Sequence, residues 1–172
     1  MLSASRAVTT SGHYFGDGPL DMVEKKRQST PVIAYFDTSA IVPLIINEAS
    51  TDLCNRVWNE SSRVLSVRLL YPEARAALAR AVRMGRLSGA QLAAAVVELE
   101  SIIAEVDHIE VTEALARLAG ELAQAHSLRG YDAVHLAAAS AVADDDTVLV
   151  TGDSDLAKIA NSIGIAVSVT KP

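Results

Sequence analysis

The feature that most constrains the fold of this chain is the alternation of short, mainly apolar runs with longer helical segments. The predicted strands are Val32–Phe36, Arg63–Ser66, His108–Val111, Thr147–Val150 and Ile165–Val169. The helical segments between them are predicted at Ala40–Asn47, Ser50–Asn59, Arg68–Met84, Ser88–Val106, Thr112–His126, Gly130–Ala143 and Asp153–Ser162. Short strands that alternate with helices are typical of a parallel sheet covered on both faces. With right-handed crossovers, the sequence predicts an α/β fold, a three-layer α/β/α sandwich around a mainly parallel sheet of four to five strands.

The first 31 residues differ in composition from the rest of the chain. They are rich in Ser, Thr, Gly and charge, and they show no periodic apolar pattern. Terminal segments without apolar anchors are usually poorly ordered. We therefore predict a flexible N-terminal extension over residues 1–31 and a single domain over residues 32–172.

Composition excludes several classes of protein. The formal net charge of −6 argues against non-specific duplex-DNA binding through a broad basic face. The longest uncharged run of the Ala-rich region, Leu87–Val97, is far shorter than the roughly 20 apolar residues of a membrane helix. The single cysteine, Cys54, cannot form an intrachain disulfide, which favours a reducing compartment. We expect a cytoplasmic protein without a membrane span.

Acidic residues occupy positions where a ligand is expected. Asp37 directly follows the first predicted strand and Asp153 closely follows the fourth. In parallel sheets the carboxyl ends of the strands share one edge, and ligands bind beyond it. Glu73 and Asp132 lie in otherwise apolar helical segments, where an isolated carboxylate is costly unless it is paired or bound to metal. A hard divalent cation such as Mg²⁺ or Mn²⁺ would relieve the repulsion of converging carboxylates.

Each acid also has a purely structural explanation. Asp37 can cap the helix that follows it, and Asp132 and Asp155 can complement helix dipoles from a first turn. Asp153 can be a turn residue, and Glu73 can point to solvent. The set as a whole favours a shared site, because three or four of these acids occupy the ligand edge of one predicted sheet.

Four segments carry a family resemblance in their order along the chain. They are Tyr35–Ala40, Glu73, Tyr131–Ala137 and Thr151–Leu156. Together they resemble the motifs of the PIN-domain family and, more narrowly, of the VapC-type toxins of bacterial toxin–antitoxin pairs. The similarity runs from Val32 to about Thr170. Pro72, directly before Glu73, departs from the pattern and raises the question of how the Glu73 carboxylate is presented.

The resemblance implies a Mg²⁺- or Mn²⁺-dependent endoribonuclease that acts on single-stranded or loop RNA and leaves a 5′-phosphate. Its catalytic acids would be Asp37, Glu73, Asp132 and Asp153, of which Asp37, Asp132 and Asp153 would hold the metal. Thr38 and Ser39 would be supporting hydroxyls, and Asp155 a less certain extra acid. The implied partners are a small VapB-like antitoxin, laid across an apolar groove, and a second copy of the chain in a homodimer.

Helix geometry separates the basic and histidine candidates. At about 100° per residue, Arg80 falls within ~20° of Glu73 and is the candidate RNA contact. Arg75 and Arg86 fall near the opposite face and are predicted to be solvated. His135 is predicted to be a packed helix residue and not a metal ligand, because hard cations prefer oxygen.

Alternative functions follow from the same α/β layout. A haloacid-dehalogenase-like phosphatase fits Gly152–Asp155, but it needs a second Asp two residues after its nucleophile, where this chain has Ser39. A receiver-type signalling domain needs adjacent acids after the first strand and a late-strand Lys, and neither is present. A catalytically silent PIN-like binding module also remains open.

Overall fold

The structure is a computed structural model that describes residues 32–170. Its elements are β1 (Ile33–Phe36), α1 (Thr38–Ile45), α2 (Thr51–Glu60), β2 (Arg63–Val67), α3 (Leu70–Arg83), α4 (Gly89–Glu105), β3 (Asp107–Ile109), α5 (Glu113–His126), α6 (Gly130–Val142), β4 (Thr147–Thr151), α7 (Ser154–Ser162) and β5 (Ala166–Val169). The extension predicted over residues 1–31 lies outside the described residues. No helix within residues 32–170 is long and apolar enough to cross a membrane.

The sheet has five parallel strands in the order β3-β2-β1-β4-β5. From the central strand β1 the chain moves outward to β2 and β3, then returns to the other side of β1 to form β4 and β5. Strand order therefore reverses between β1 and β4. This reversal is the point where open α/β sheets bind their ligands, just beyond the carboxyl ends of the strands.

Two apolar cores lie on opposite faces of the sheet. Because side chains alternate along a strand, Ala34 and Phe36 of β1 enter the core formed with α1 to α4, while Tyr35 enters the core formed with α5 to α7. All three residues have no exposed surface. A sheet with helices on both faces confirms the predicted three-layer sandwich.

Side chains at the strand ends set where the helices begin. Asp37 caps α1 with a hydrogen bond from the Ala40 N–H, so α1 starts at Thr38, two residues before the predicted start. Ser88 and Gln91 form a reciprocal capping box at the start of α4. The helix therefore begins at Gly89, one residue after its predicted start at Ser88. Pro72 sits in the first turn of α3, where its missing N–H breaks no helical bond.

The third strand is shorter than predicted and begins earlier. It pairs through Asp107 to Ile109 with the end of β2. Glu110 lies just beyond it and accepts hydrogen bonds from the Arg68 side chain, and Thr112 then caps α5. The predicted extension of this strand to Val111 is wrong, because the chain leaves the sheet to enter that cap.

Candidate active site

A cleft of about 480 Å³ lies at the carboxyl edge of the sheet, beside the reversal between β1 and β4. Its walls include all four acids proposed from the sequence, brought from four separate parts of the chain: Asp37, Glu73, Asp132 and Asp153. Thr38 and Ser39 also line it. Asp155 does not: it pairs with Lys158 at 2.9 Å and lines a smaller adjoining cavity. The extra acid of the prediction therefore stands at the margin of the cleft.

Asp37 is the most buried of the four acids, at 5% exposure. Its Oδ1 accepts hydrogen bonds from Ser39 Oγ at 2.7 Å and from the Ala40 N–H at 3.0 Å, and its Oδ2 accepts one from Thr151 Oγ1 at 2.5 Å. Burial raises the pKa of Asp37, against the opposing effects of His135 and of these donors. No Lys or Arg in residues 32–170 pairs with it, so its negative charge lacks a full counterion.

Thr151 is a site residue that the sequence reasoning missed. It is fully buried at the end of β4, where its hydroxyl donates to Asp37 and accepts from the Asp153 N–H at 3.0 Å. It thereby ties the acid after β1 to the acid after β4. Its position at the carboxyl end of a strand could have indicated this role. A side chain at that position lies beside the residues that follow the neighbouring strand.

Asp153 and Asp132 also line the cleft. Asp153 uses Oδ1 to accept from the N–H groups of Asp155 and Leu156 and so caps α7, a role more specific than the turn residue suggested by the sequence. Asp132 lies in the first turn of α6, where Arg129 approaches its Oδ2 at 3.5 Å. That arginine is 87% exposed, so the pair is well screened.

The electrostatics of Asp132 link the four acids. Burial raises the pKa of Asp132, Arg129 lowers it, and the charges of Asp153, Glu73 and Asp37 raise it further. The negative charges of the other three acids therefore act on the Asp132 carboxyl. A bound cation would offset this repulsion.

Glu73 is fixed by residues from two other elements. Its Oε2 accepts from Thr38 Oγ1 at 2.8 Å and from His135 Nε2 at 2.7 Å. His135 is buried, as predicted for a packed helix residue, but it also bonds Tyr35 Oη at 3.0 Å through Nδ1. Pro72 does not prevent Glu73 from reaching the cleft, since both lie within the first turn of α3.

Basic side chains form part of the cleft rim. Arg80 lines it as the helical geometry predicted, together with Arg129. Arg86 is exposed, as predicted, but its predicted place opposite Glu73 is wrong. It also lines the cleft, because α3 ends at Arg83 and Gly85 adopts a left-handed φ of 70° that redirects the chain. Arg86 then pairs with Glu48 at 2.5 Å.

The donor set suits a hard divalent cation in its chemistry. All candidate ligands are carboxylate oxygens, and the buried Asp37 carries a charge that lacks an ionic partner among the described residues. As they stand, however, no three or more acidic, His or Cys side chains within residues 32–170 form a complete metal-binding cluster. Binding of a cation would require these side chains to come closer together.

Removing the Thr151 hydroxyl should destabilise the fold. In Thr151→Val we expect a loss of about 1–3 kcal/mol in unfolding free energy, because the buried Asp37 carboxylate loses its shortest hydrogen bond. Urea denaturation measures the loss. Thr147→Val removes a buried hydroxyl at the other end of β4 and is the matched control. Thr147→Val shows how much of the loss comes from removing any buried hydroxyl of this strand, and a Thr151→Val variant as stable as the wild type would contradict the role of Thr151.

Comparison with known proteins places the chain in a family. The family model described as "PIN domain" matches residues 34–162. Ribonuclease VapC45 of Mycobacterium tuberculosis is 42% identical over 136 residues, which cover 79% of this chain and 94% of that protein.

Solved structures share the fold. Mycobacterium tuberculosis VapC20, described as a sarcin-ricin loop cleaving toxin, superposes with a TM-score of 0.57 at 22% identity, covering 77% of this chain and 96% of that one. A toxin–antitoxin complex from Klebsiella pneumoniae gives a TM-score of 0.55 at 18% identity, covering 80% and 97%. At these identities the structures support the α/β/α architecture.

The family assignment removes the phosphatase and receiver alternatives, which belong to other families. It also agrees with the site, because the four motif segments supply the four acids of one cleft. Sequence, fold and site agree that the chain belongs to the PIN-domain family, among its VapC-type members.

Proposed function

We propose that this protein is a Mg²⁺- or Mn²⁺-dependent endoribonuclease, the toxin of a toxin–antitoxin pair. The observation that carries the proposal is the meeting of Asp37, Glu73, Asp132 and Asp153 in one cleft at the reversal of the sheet. Buried and mutually repelling carboxylates are costly for folding, and such costs concentrate at functional sites. The similarity to Ribonuclease VapC45 supports RNA as the substrate.

The site residues would have separate roles in the reaction. Asp37, Asp132 and Asp153 would hold the cation, which supplies an activated water and relief of charge on the phosphate. Ser39 and Thr151 keep Asp37 in place through their hydroxyls. Glu73, anchored through one oxygen, orients the attacking water with the other.

The proposed hydrolysis needs no nucleophilic side chain, because an activated water would attack. The cleft holds two hydroxyl residues, Thr38 and Ser39, and both of their hydroxyls already donate to carboxylates. A phosphodiester is therefore expected to be hydrolysed by direct attack of water, leaving a 5′-phosphate and a 3′-hydroxyl.

Purified protein, free of any antitoxin, tests the activity. Labelled structured RNA, including a sarcin-ricin stem-loop, should be cut in the presence of Mg²⁺ or Mn²⁺, and EDTA should stop the reaction. Cleavage that persists in EDTA would contradict metal dependence. Intact RNA under all divalent conditions, with the protein folded and free of antitoxin, would support the silent binding module instead.

Arg80 is expected to contact the RNA backbone at the cleft rim. Arg80→Ala should raise KM for RNA and make binding less sensitive to salt, because one phosphate contact is lost. Arg75→Ala is the matched control on the same helix, since Arg75 lies outside the cleft and bonds Tyr71 Oη. Binding measured over a salt series separates the two, and equal salt slopes for both variants would contradict the assignment.

The proposed partners follow from family and surface. Leu44, Ile45 and Ile46 of α1 and its end line a shallow groove with Leu87 and Ala94, next to α4. The deeper residues of the same helix, such as Ile41, belong to the core, as predicted. We propose that a VapB-like antitoxin covers this groove, that the chain forms a homodimer, and that it acts in the cytoplasm, where its RNA substrates are found.

A further inference from the structure

His135 is the buried polar residue of the cleft that the acid-based mechanism does not use. It lies on α6, about one turn after Asp132, and is 3% exposed. Its ring joins the sheet to α3, because Nδ1 lies 3.0 Å from Tyr35 Oη and Nε2 lies 2.7 Å from Glu73 Oε2. An imidazole engaged at both nitrogens has one orientation.

The direction of the proton along this chain of groups can be assigned. An ionised Glu73 only accepts hydrogen bonds, so Nε2 carries the proton and donates it. With Nε2 protonated, the second nitrogen of a neutral imidazole is an acceptor, so the Tyr35 hydroxyl donates to Nδ1. The resulting order is Tyr35 to His135 to Glu73, with His135 as the Nε2–H tautomer.

The bonds at Glu73 are unevenly distributed. Both donors, His135 Nε2 and Thr38 Oγ1, bond the same oxygen, Oε2. Among residues 32–170, no side chain or backbone N–H donates to Oε1. One oxygen is thus anchored and the other is available to a water molecule. A histidine that served only to fill space would not need this pair of directed contacts.

We propose that His135 is a positioning residue that, oriented by Tyr35, holds Glu73 in the one geometry in which its second oxygen can orient the attacking water. The inference rests on the proposed nuclease function, and it assigns His135 no contact with RNA or metal. Groups that orient catalytic carboxylates or ligands in this way typically account for about 10–100-fold in activity.

Kinetics of two substitutions separate positioning from packing. His135→Leu should lower kcat about 10–100-fold and leave KM for RNA unchanged, because Glu73 loses a donor but RNA loses no contact. His135→Gln keeps an N–H donor near the position of Nε2 and should retain kcat within about tenfold of the wild type. His108→Leu is the matched control, since His108 bonds the Ile103 carbonyl far from the cleft.

Circular dichroism and thermal unfolding first establish that each variant is folded. Wild-type kcat in a folded His135→Leu would overturn the proposal. A folded His135→Gln with a kcat as low as that of His135→Leu would also overturn it. In that case the fall in kcat would come from the altered shape of the side chain and not from the loss of the N–H donor. If His135→Leu fails to fold, the comparison of His135→Gln with the wild type, together with the tautomer below, decides the question.

The tautomer provides a readout independent of cleavage. Long-range ¹H–¹⁵N spectra of the wild-type protein should show His135 as the Nε2–H form, and Tyr35→Phe should keep that form because the Glu73 acceptor remains. A wild-type Nδ1–H form would overturn the proposal. If the wild type cuts no RNA, the proposed function fails, and the tautomer still shows whether this polar chain exists.

Discussion

Asp132→Asn is expected to abolish RNA cleavage, with a fall in kcat of about 1000-fold or more at saturating Mg²⁺. The substitution keeps the shape of the side chain and removes its charge. Asp132 is only partly paired, with an exposed arginine at 3.5 Å, so its carboxylate is free to bind a cation. Loss of one ligand weakens both the hold on the cation and its alignment with the phosphate.

The control for this prediction is an acid outside the cleft. Asp145→Asn makes the same chemical change in the exposed turn between α6 and β4, and its cleavage rate should equal that of the wild type. Rates from single-turnover assays on labelled RNA allow the comparison. If Asp132→Asn retains more than about a tenth of the wild-type rate, its role as a ligand is contradicted.

The second large effect is on stability, and it depends on pH and on divalent cations. Burial raises the pKa of Asp37, and burial together with the other acids raises that of Asp132. A carboxyl whose pKa is higher in the folded than in the unfolded state stabilises the fold at low pH. That contribution is lost as the pH rises through the raised folded-state pKa. Without divalent cations, the ionised acids therefore cost stability at neutral pH.

Asp37→Asn isolates this contribution. The variant should match the wild type near the ordinary pKa of an aspartate and become the more stable of the two as the pH rises, in the presence of EDTA. Mn²⁺ at 100 times its dissociation constant should stabilise the wild type at neutral pH by about 2.7 kcal/mol and the variant by less. Denaturant unfolding at several pH values checks both. A variant less stable than the wild type at neutral pH in EDTA would show that the charge of Asp37 is fully compensated.

The fold could be predicted because its determinants are local. Strand-length apolar runs, helix caps and the rule that parallel strands share one carboxyl edge predicted three layers and put Asp37 and Asp153 together. Each of these two acids combines a structural role with a place in the cleft. Each caps a helix through Oδ1, and each also lines the cleft.

The parts of the site that were missed depend on contacts between distant residues. Tyr35 and His135 are 100 residues apart, and Thr151 meets Asp37 across 114 residues, so no helical or strand periodicity relates them. The error at Arg86 has another origin. The helical wheel was extended past the end of α3, although Gly85 allows the left-handed turn that brings Arg86 back to the cleft.

The central claim is that carboxylates distant in sequence share one divalent cation beyond the reversal of the sheet. The most direct test is a crystal grown or soaked with Mn²⁺ and measured at a wavelength where manganese scatters anomalously. We expect an anomalous peak bonded directly to oxygens of Asp37 and at least one of Asp132 and Asp153. A protein active with Mn²⁺ whose crystals show no manganese in this cleft, or show it only elsewhere, would contradict the account.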